Sequence, residues 1–514
     1  YFAAIEALVR RIEEIPGDLS PQLKSQLQLL QDKLFLNAMT ACVRGLEPRK
    51  HRVVFRLCGS LAFKFRSIRT SMLNAMVFSS SIISELYSSM AKAGIFSKSA
   101  AHGEWGDDLR ERLTLFCICY NHLLLIQDDA EFFDEQKPCS LKQITEVVRV
   151  LKRLLQQLYW EGGRGGGKVL DSRNLSVPWA QLRDVATDLF CQLRVRQSRK
   201  QFCERDIWIM PKISFPVFKN ELESKNSGRA ARILRRIPFV LTFQQRVELF
   251  YGFIRSDRKH MDSAGVNFQH GAGVGIRVRR DRVLTDGFES LTKIGQNIKG
   301  RVQVQFINSH GIPETGIDGG GLFKEFVTEL LRSAFDPQLG LFCQTPHEFT
   351  YPNPTSFANP NFGEQHLAYF QFVGMVVGKC LYDGIILEPQ FANFFLRKLL
   401  GYRNFVDDLS SLDPEVYKNL LYLKKNSASG LGLTFSVARD TFGDSKVVDL
   451  VPNGSNIAVT DENRLRFIYE MADFKLNREI APQSKAFVAG LNSVIKPDWL
   501  RMFEAEELDR LLSR

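Results

Sequence analysis

The chain has 514 residues, 44% of them hydrophobic and 24% charged, which is ordinary globular usage and excludes wholesale disorder. At about 150 residues per domain, that length predicts three or four units. Lys and Arg number 68 against 57 Asp and Glu, a formal charge of +11, too mild an excess to argue for a nucleic-acid partner.

Phe is used 40 times against 12 Tyr and 5 Trp, which predicts large apolar cores. No apolar run reaches the roughly 18 residues that span a bilayer, so no membrane insertion is expected. The best run, Phe370 to Leu381, contains Gln371 and Lys379. The chain opens at Tyr1 without a Met or a signal pattern, and reads as part of a longer, soluble protein. Its 9 cysteines include no CxxC pair. Free thiols in a reducing compartment follow, hence a cytoplasmic, or also nuclear, residence with no metal and no cofactor expected.

Residues 1–160 read as a helical region. Ser20-Pro21 offers an N-cap with Pro at the first helical position, and Leu23, Leu27, Leu30 and Leu34 follow on one face. Ser140 and Gln143 make a capping box, continued at helical spacing by Ile144, Val147, Leu151, Leu154 and Leu158. The acidic stretch from Gln127 to Glu135 between them is expected on the surface.

Residues 161–178 read as a Gly-rich flexible loop. Gly162 and Gly167-Lys168 nearly spell a phosphate-binding loop, but Val169 stands where a Ser or Thr would hold magnesium. A helix rather than a strand precedes it, so nucleotide binding is rejected. A second helical region, 179–275, leads into a lobe over 276–514. There a basic strand starts at Ile276, and Val302, Val304 and Phe306 alternate with Gln303 and Gln305 as a half-buried strand does.

Further strands are predicted at 433–437, 446–451 and 456–459, the last two joined by a turn at Asn453-Gly454. Helices are predicted at 322–333, 365–382, 389–400, 413–424, 461–474, 483–494 and 504–513. The expected fold is a mainly α upstream region followed by an α+β lobe, many helices with a small antiparallel β-element.

Five segments of this lobe, in order, resemble the N-terminal lobe of HECT-type ubiquitin ligases. They are Glu314 to Phe326, Tyr369 to Gly384, Leu412 to Leu420, Leu433 to Val437, and Leu450 through Asn463 to Gly490. With the upstream Phe-rich helices and Ile495 to Phe503, the chain is similar to the branch that carries an IQ motif. In the first segment Glu314, Gly316, Asp318, Gly319, Gly320, Lys324, Glu325 and Phe326 read as a structural motif: a glycine turn, an acidic group at a helix start and an apolar helix face. Gly374 and Gly378 allow close helix packing.

The resemblance implies partners: a ubiquitin-conjugating enzyme, ubiquitin and protein substrates. It implies a docking groove at Leu420, Tyr422, Leu423, Leu433, Phe435 and Phe487, of which Tyr422 and Phe487 are the better groove candidates. It also implies a thioester-forming cysteine in a Thr-Cys-Phe-Asn-like context on a following lobe. No cysteine here has that context, so the catalytic thiol is expected beyond Arg514 and the chain alone is expected to be inactive. Cys343, with His347 four residues on, is the nearest imitation. The alternative is a non-catalytic, substrate-recruiting helical scaffold. A nucleic-acid or membrane surface at Arg277–Arg282 is the weakest reading, because charge there also fits a guarded strand edge.

Overall fold

A computed structural model describes residues 69–79, 81–96, 107–161, 178–224, 228–263, 274–314, 321–441 and 444–513. The predicted helix after Ser20, residues 162–177 of the Gly-rich segment, and Gly316, Asp318, Gly319 and Gly320 lie outside them. The chain divides into two compact units, one ending at Thr242 and the other beginning at Phe243.

In the first unit the described helices are α1 (Arg69–Ser79), α2 (Ile82–Lys92), α3 (Asp107–Leu124) and α4 (Leu141–Gln156), followed by α5 (Trp179–Arg199), α6 (Phe215–Glu223) and α7 (Gly228–Arg236). The start of α4 follows from its cap. Ser140 Oγ accepts from the Gln143 amide at 3.3 Å, and the Gln143 side chain accepts from the Ser140 amide at 2.7 Å. Ile144, Val147, Leu151 and Leu154 form its buried face. The helix then widens into one π turn, Gln157–Glu161, that buries Tyr159 and Trp160.

The acidic stretch is not simply surface. Gln127, Asp128, Phe132 and Phe133 are buried, and Arg196 on α5 pairs with Asp129 and donates to the Leu124 carbonyl. Asp128 and Glu131 cap each other's amides at 3.1 and 2.8 Å. The charge there closes a helix end and meets a buried arginine, two uses that composition cannot reveal.

The second unit opens with α8 (Phe243–Ser263), so the boundary falls at 242/243 and this helix, read above within 179–275, joins the lobe. Strand β1 (Val274–Arg279), helix α9 (Val283–Ile294) and strand β2 (Val302–Ile307) make a right-sized crossover, and the two strands are parallel, with Ile276 opposite Val304 and Val278 opposite Phe306. Their buried residues alternate as predicted. Helix α10 (Gly321–Phe335) leads to the antiparallel pair β3 (Phe342–Gln344) and β4 (Thr350–Pro352). Then come α11 (His366–Asp383), α12 (Asn393–Leu399), α13 (Pro414–Lys425), β5 (Ser436–Thr441), β6 (Asp444–Asp449) and α14 (Arg464–Asp473). Helices α15 (Ala481–Val494), α16 (Pro497–Leu500) and α17 (Ala505–Ser513) close the unit.

The described chain is therefore mainly α with few strands. Two of the three ribbons are antiparallel; β1–β2 is not, because a helix rather than a tight turn joins its strands. The predicted hairpin across Asn453-Gly454 also differs. β6 pairs with β5, and 457–459 instead runs antiparallel to 433–435, with the Val459 amide donating to the Leu433 carbonyl at 2.8 Å. Asn453 (φ 60) opens a short 3₁₀ turn, and a Cβ on Gly454 would sit 2.1 Å from the Phe435 carbonyl oxygen. Glycine is there for close approach, not for a hairpin.

Helices α11 and α15 form the centre. A Cβ on Gly374 would lie 2.0 Å from the Phe487 carbonyl oxygen, and one on Gly490 would lie 1.8 Å from that of Gln371, so the two backbones touch. Around them Phe342, Phe370, Phe391, Phe395 and Phe487 pack edge to face, with Phe395 and Phe487 centred 5.3 Å apart. Burying each such ring stabilises by about 2–3 kcal/mol, which accounts for the heavy use of Phe.

Candidate docking surface

Of the fifteen exposed large hydrophobic side chains among the described residues, nine lie between Tyr402 and Tyr469. That bias marks the α13–β5–β6–α14 part of the second unit as the place to build a site.

Helix α13 starts where the sequence says it should. Asp413 caps it by accepting from the Val416 amide at 3.0 Å, and Pro414 occupies the first position. Lys424 and Lys425 in its last turn suit the negative end of the dipole. Leu420 and Leu423 sit three apart on its inner face and are buried, at 5% and 3% exposure. Tyr422 points away and is 63% exposed.

After α13 the chain is pinned by one carboxylate. Asp461 accepts from the Ala428 amide at 2.6 Å and from the Ser427 hydroxyl at 2.9 Å, and pairs with Arg464 at 3.0 Å. These donors, the Ala428 amide first, hold its carboxyl below the usual range. The loop so held carries Leu431 and Leu433, both exposed, each preceded by a glycine (Gly430, Gly432) in the left-handed region. Its strand-like end leads Phe435 inward, where the ring meets Phe467 edge-on at 5.5 Å.

The six residues expected to form one groove therefore separate. Tyr422 and Leu433 are on the surface, whereas Leu420, Leu423 and Phe435 support it from beneath. Phe487 does not belong to this region: it is fully buried against α11 and the Phe cluster, held there by the α11–α15 contact. Sequence reading missed Leu431, Leu465 and Tyr469. The signal was available for the last two, which lie four apart on α14 and off the face that buries Phe467 and Ile468.

The Glu314–Phe326 motif sits elsewhere. The Glu314 amide donates to the Phe306 carbonyl, extending β2, and its carboxylate pairs with Arg280 at 2.8 Å. Arg280 also pairs with Glu325 at 2.6 Å and Glu329 at 3.0 Å, while its guanidinium lies 3.8 Å from the Phe306 ring centroid. Hydrogen bonding to Glu314 and then Glu325 raises the Arg280 pKa further above its ordinary value. Phe326 is fully buried, and Lys324 is exposed at the mouth of a separate cavity. These groups tie β1, β2 and α10 together. The basic segment thus spends Arg279 on Asp286 and Arg280 on three glutamates.

No described thiol is built as a nucleophile. Burial pushes Cys139, Cys191, Cys343 and Cys380 up to about 12 and Cys203 to about 11. Cys343 faces the Tyr351 carbonyl at 3.7 Å inside the β3–β4 ribbon. Among the described residues, no group of three or more His, Cys, Asp or Glu converges to hold a metal.

Against this geometry, residues 328–513 match the HECT-domain (ubiquitin-transferase) family. The chain belongs to the HECT-domain family. It is 36% identical over 417 residues to "Ubiquitin-protein ligase E3B" of Mus musculus, covering 78% of this chain and 37% of that protein. It is 34% identical over 412 residues to "E3 ubiquitin-protein ligase UPL6" of Arabidopsis thaliana, covering 78% of this chain and 39% of the relative. With "E3 ubiquitin-protein ligase HUL5" of Saccharomyces cerevisiae the identity is 38% over 313 residues, 57% of this chain and 34% of the other. The chain therefore spans less than two fifths of the length of these HECT-type relatives.

Proposed function

We propose that this HECT-family chain is the conjugating-enzyme-docking part of a ubiquitin transferase. In this reading, Tyr422 with Leu431 and Leu433 offers apolar anchors to a ubiquitin-conjugating enzyme, and buried Leu420, Leu423 and Phe435 fix their positions. The observation that carries it is the concentration of exposed apolar side chains between Tyr402 and Tyr469 on a well-supported scaffold. Exposed aromatic anchors with polar neighbours are what such interfaces use.

The chemistry would be acyl transfer in two steps. A ligase thiolate attacks the thioester carbonyl that joins ubiquitin's C-terminus to the conjugating enzyme, and the enzyme's thiolate leaves. A substrate lysine amine then attacks the new thioester, forming an amide and releasing the ligase thiolate. With five of the seven described cysteines buried, and Cys191 and Cys343 held high by desolvation, the reading puts the nucleophile outside the described residues. Protein substrates complete the set of partners, and the free thiols suit a reducing, cytoplasmic or nuclear, compartment.

The test mixes the 514-residue chain with ubiquitin-charged conjugating enzyme on a non-reducing gel, with binding measured in parallel by biolayer interferometry. Binding that Tyr422→Ala weakens, without a thiol-sensitive band at chain plus ubiquitin, supports the reading. Such a band, persisting in a Cys42→Ser/Cys58→Ser variant, would sink the placement of the nucleophile, and binding indifferent to Tyr422 would sink the surface.

A further inference from the structure

The second unit contains a cavity of about 780 Å³ remote in sequence from the docking surface. Its walls come from α8, the segment 299–302, the start of α10, and the end of α11 with residues 384–386. Seven of its fifteen lining residues are Lys or Arg, against Asp262 and Asp383 alone. Val302, Phe323, Ile385 and Ile386 supply apolar wall between them.

Part of this charge is structural. Lys379, whose side chain is 3% exposed, gives its ammonium to the Lys299 and Gly300 carbonyls at 3.2 and 2.8 Å and to Asp383 at 2.8 Å. Arg258 takes the same carboxylate at 3.1 Å, and Lys299 takes Asp257 at 2.8 Å. Asp383, one of the two lining carboxylates, is therefore used by the wall.

Arg255, Lys259 and Lys324 are different. No carboxylate among the described residues pairs with any of them. Arg255 and Lys259 lie four apart on α8, a spacing at which like charges destabilise a helix. Lys324 joins them from the first turn of α10, the positive end of that helix. An open concavity that gathers, from two helices and around a partly apolar wall, cations with no carboxylate partner among the described residues raises the local potential and favours an anion with several charges. The volume matches a small molecule rather than a peptide lying across a surface.

We propose that this cavity binds a small polyanion carrying clustered phosphates. Arg255, Lys259 and Lys324 supply the recognising charge, and the Lys379–Asp383–Arg258 network holds the wall in place.

The experiment titrates the full chain with inositol hexakisphosphate by calorimetry and follows Tm by differential scanning fluorimetry. Saturable binding is expected, with a rise in Tm and weakening at higher salt. Lys259→Gln combined with Lys324→Gln, both exposed side chains, should not lower the ligand-free Tm and should weaken binding roughly tenfold. The matched pair Lys418→Gln and Lys425→Gln should weaken it little. Sedimentation with phosphatidylcholine vesicles containing phosphatidylinositol bisphosphate separates the sources: co-sedimentation assigns a lipid headgroup, and soluble binding without it assigns a free phosphate compound. Absence of saturable binding overturns the proposal. So does equal loss in the Lys418/Lys425 control, or tighter binding of a deca-glutamate peptide than of the hexakisphosphate.

Discussion

Arg246 and Glu507, 261 positions apart, form a two-pronged buried ion pair: one guanidinium nitrogen is 2.5 Å from one carboxylate oxygen, and the second is 2.6 Å from the other. The pair joins the first helix of the HECT-bearing unit to its last, and Arg246 also donates to the Met502 carbonyl at 2.7 Å. Phe250 packs edge-on against Phe503 beside it.

Removing the acid should be costly, because the guanidinium then stays buried without its carboxylate. Glu507→Ala is expected to lower stability by about 3–5 kcal/mol. Glu507→Gln, which keeps an acceptor and the shape, should lose less. Urea unfolding midpoints of both variants check this, and equal midpoints to the parent chain would refute the tie.

The touching backbones of α11 and α15 give a second expectation. Gly490→Ala and Gly374→Ala each place a Cβ about 2 Å from a carbonyl oxygen that cannot swing aside, so each should cost at least ~3 kcal/mol. Gly378→Ala, whose Cβ would be 3.1 Å from the Leu491 carbonyl oxygen, should be milder. Circular-dichroism melts rank the three.

Tyr422 and Phe487 should behave as opposites. Tyr422→Ala is expected to move stability by no more than about 0.5 kcal/mol and to weaken conjugating-enzyme binding by roughly tenfold. Phe487→Ala should cost about 3–5 kcal/mol through the cavity it leaves. Thermal melts and interferometry on the same preparations separate the two. A Tyr422 variant that melts early would contradict its exposed placement.

Alkaline pH should loosen the fold. Cys139, Cys191, Cys343 and Cys380 are raised by burial from the ordinary 9.0 to about 12. Between those values the unfolded chain releases protons that the folded chain keeps, so stability is fully present below pH 9 and falls as pH rises toward 12. Lys398, lowered by burial to about 8, works the other way between 8 and 10.5, and burial also lowers Lys152 and Lys379, but the thiols raised by burial, with Cys117 and Cys203 among them, outnumber these lysines. Urea midpoints at pH 8 and 10 should fall, and a thiol reagent at pH 8 should label these cysteines only after denaturant is added. A higher midpoint at pH 10 would contradict the expectation.

Much of the local structure was legible. Caps and periodicity are written within a few residues, and the Ser140–Gln143 box, the Asp413-Pro414 start and the alternation at Val302, Val304 and Phe306 all form as their spacing requires. The strand segment at 456–459 was found, but its partner was misread. Asn453-Gly454 carries a hairpin signal, and the contact that sets the geometry at Gly454 is Phe435, nineteen residues away. For the proposed docking surface, residue spacing did not give the side on which each residue lies. Tyr422 sits between Leu420 and Leu423, and only the element packed against α13 decides which of the three faces water.

By itself the sequence determined helix starts, strand alternation, the glycines that let α11 and α15 meet, and membership of the HECT-domain family, since each rests on residue types at fixed short spacing. Tertiary structure alone decided that Phe487 is core, that Asp129 serves a buried arginine, that Arg280 gathers three glutamates, and that cations from α8, α10 and α11 share one cavity. Burial and charge pairing depend on which distant segment arrives at a face, and that information is spread over the whole fold rather than held in any one stretch of chain.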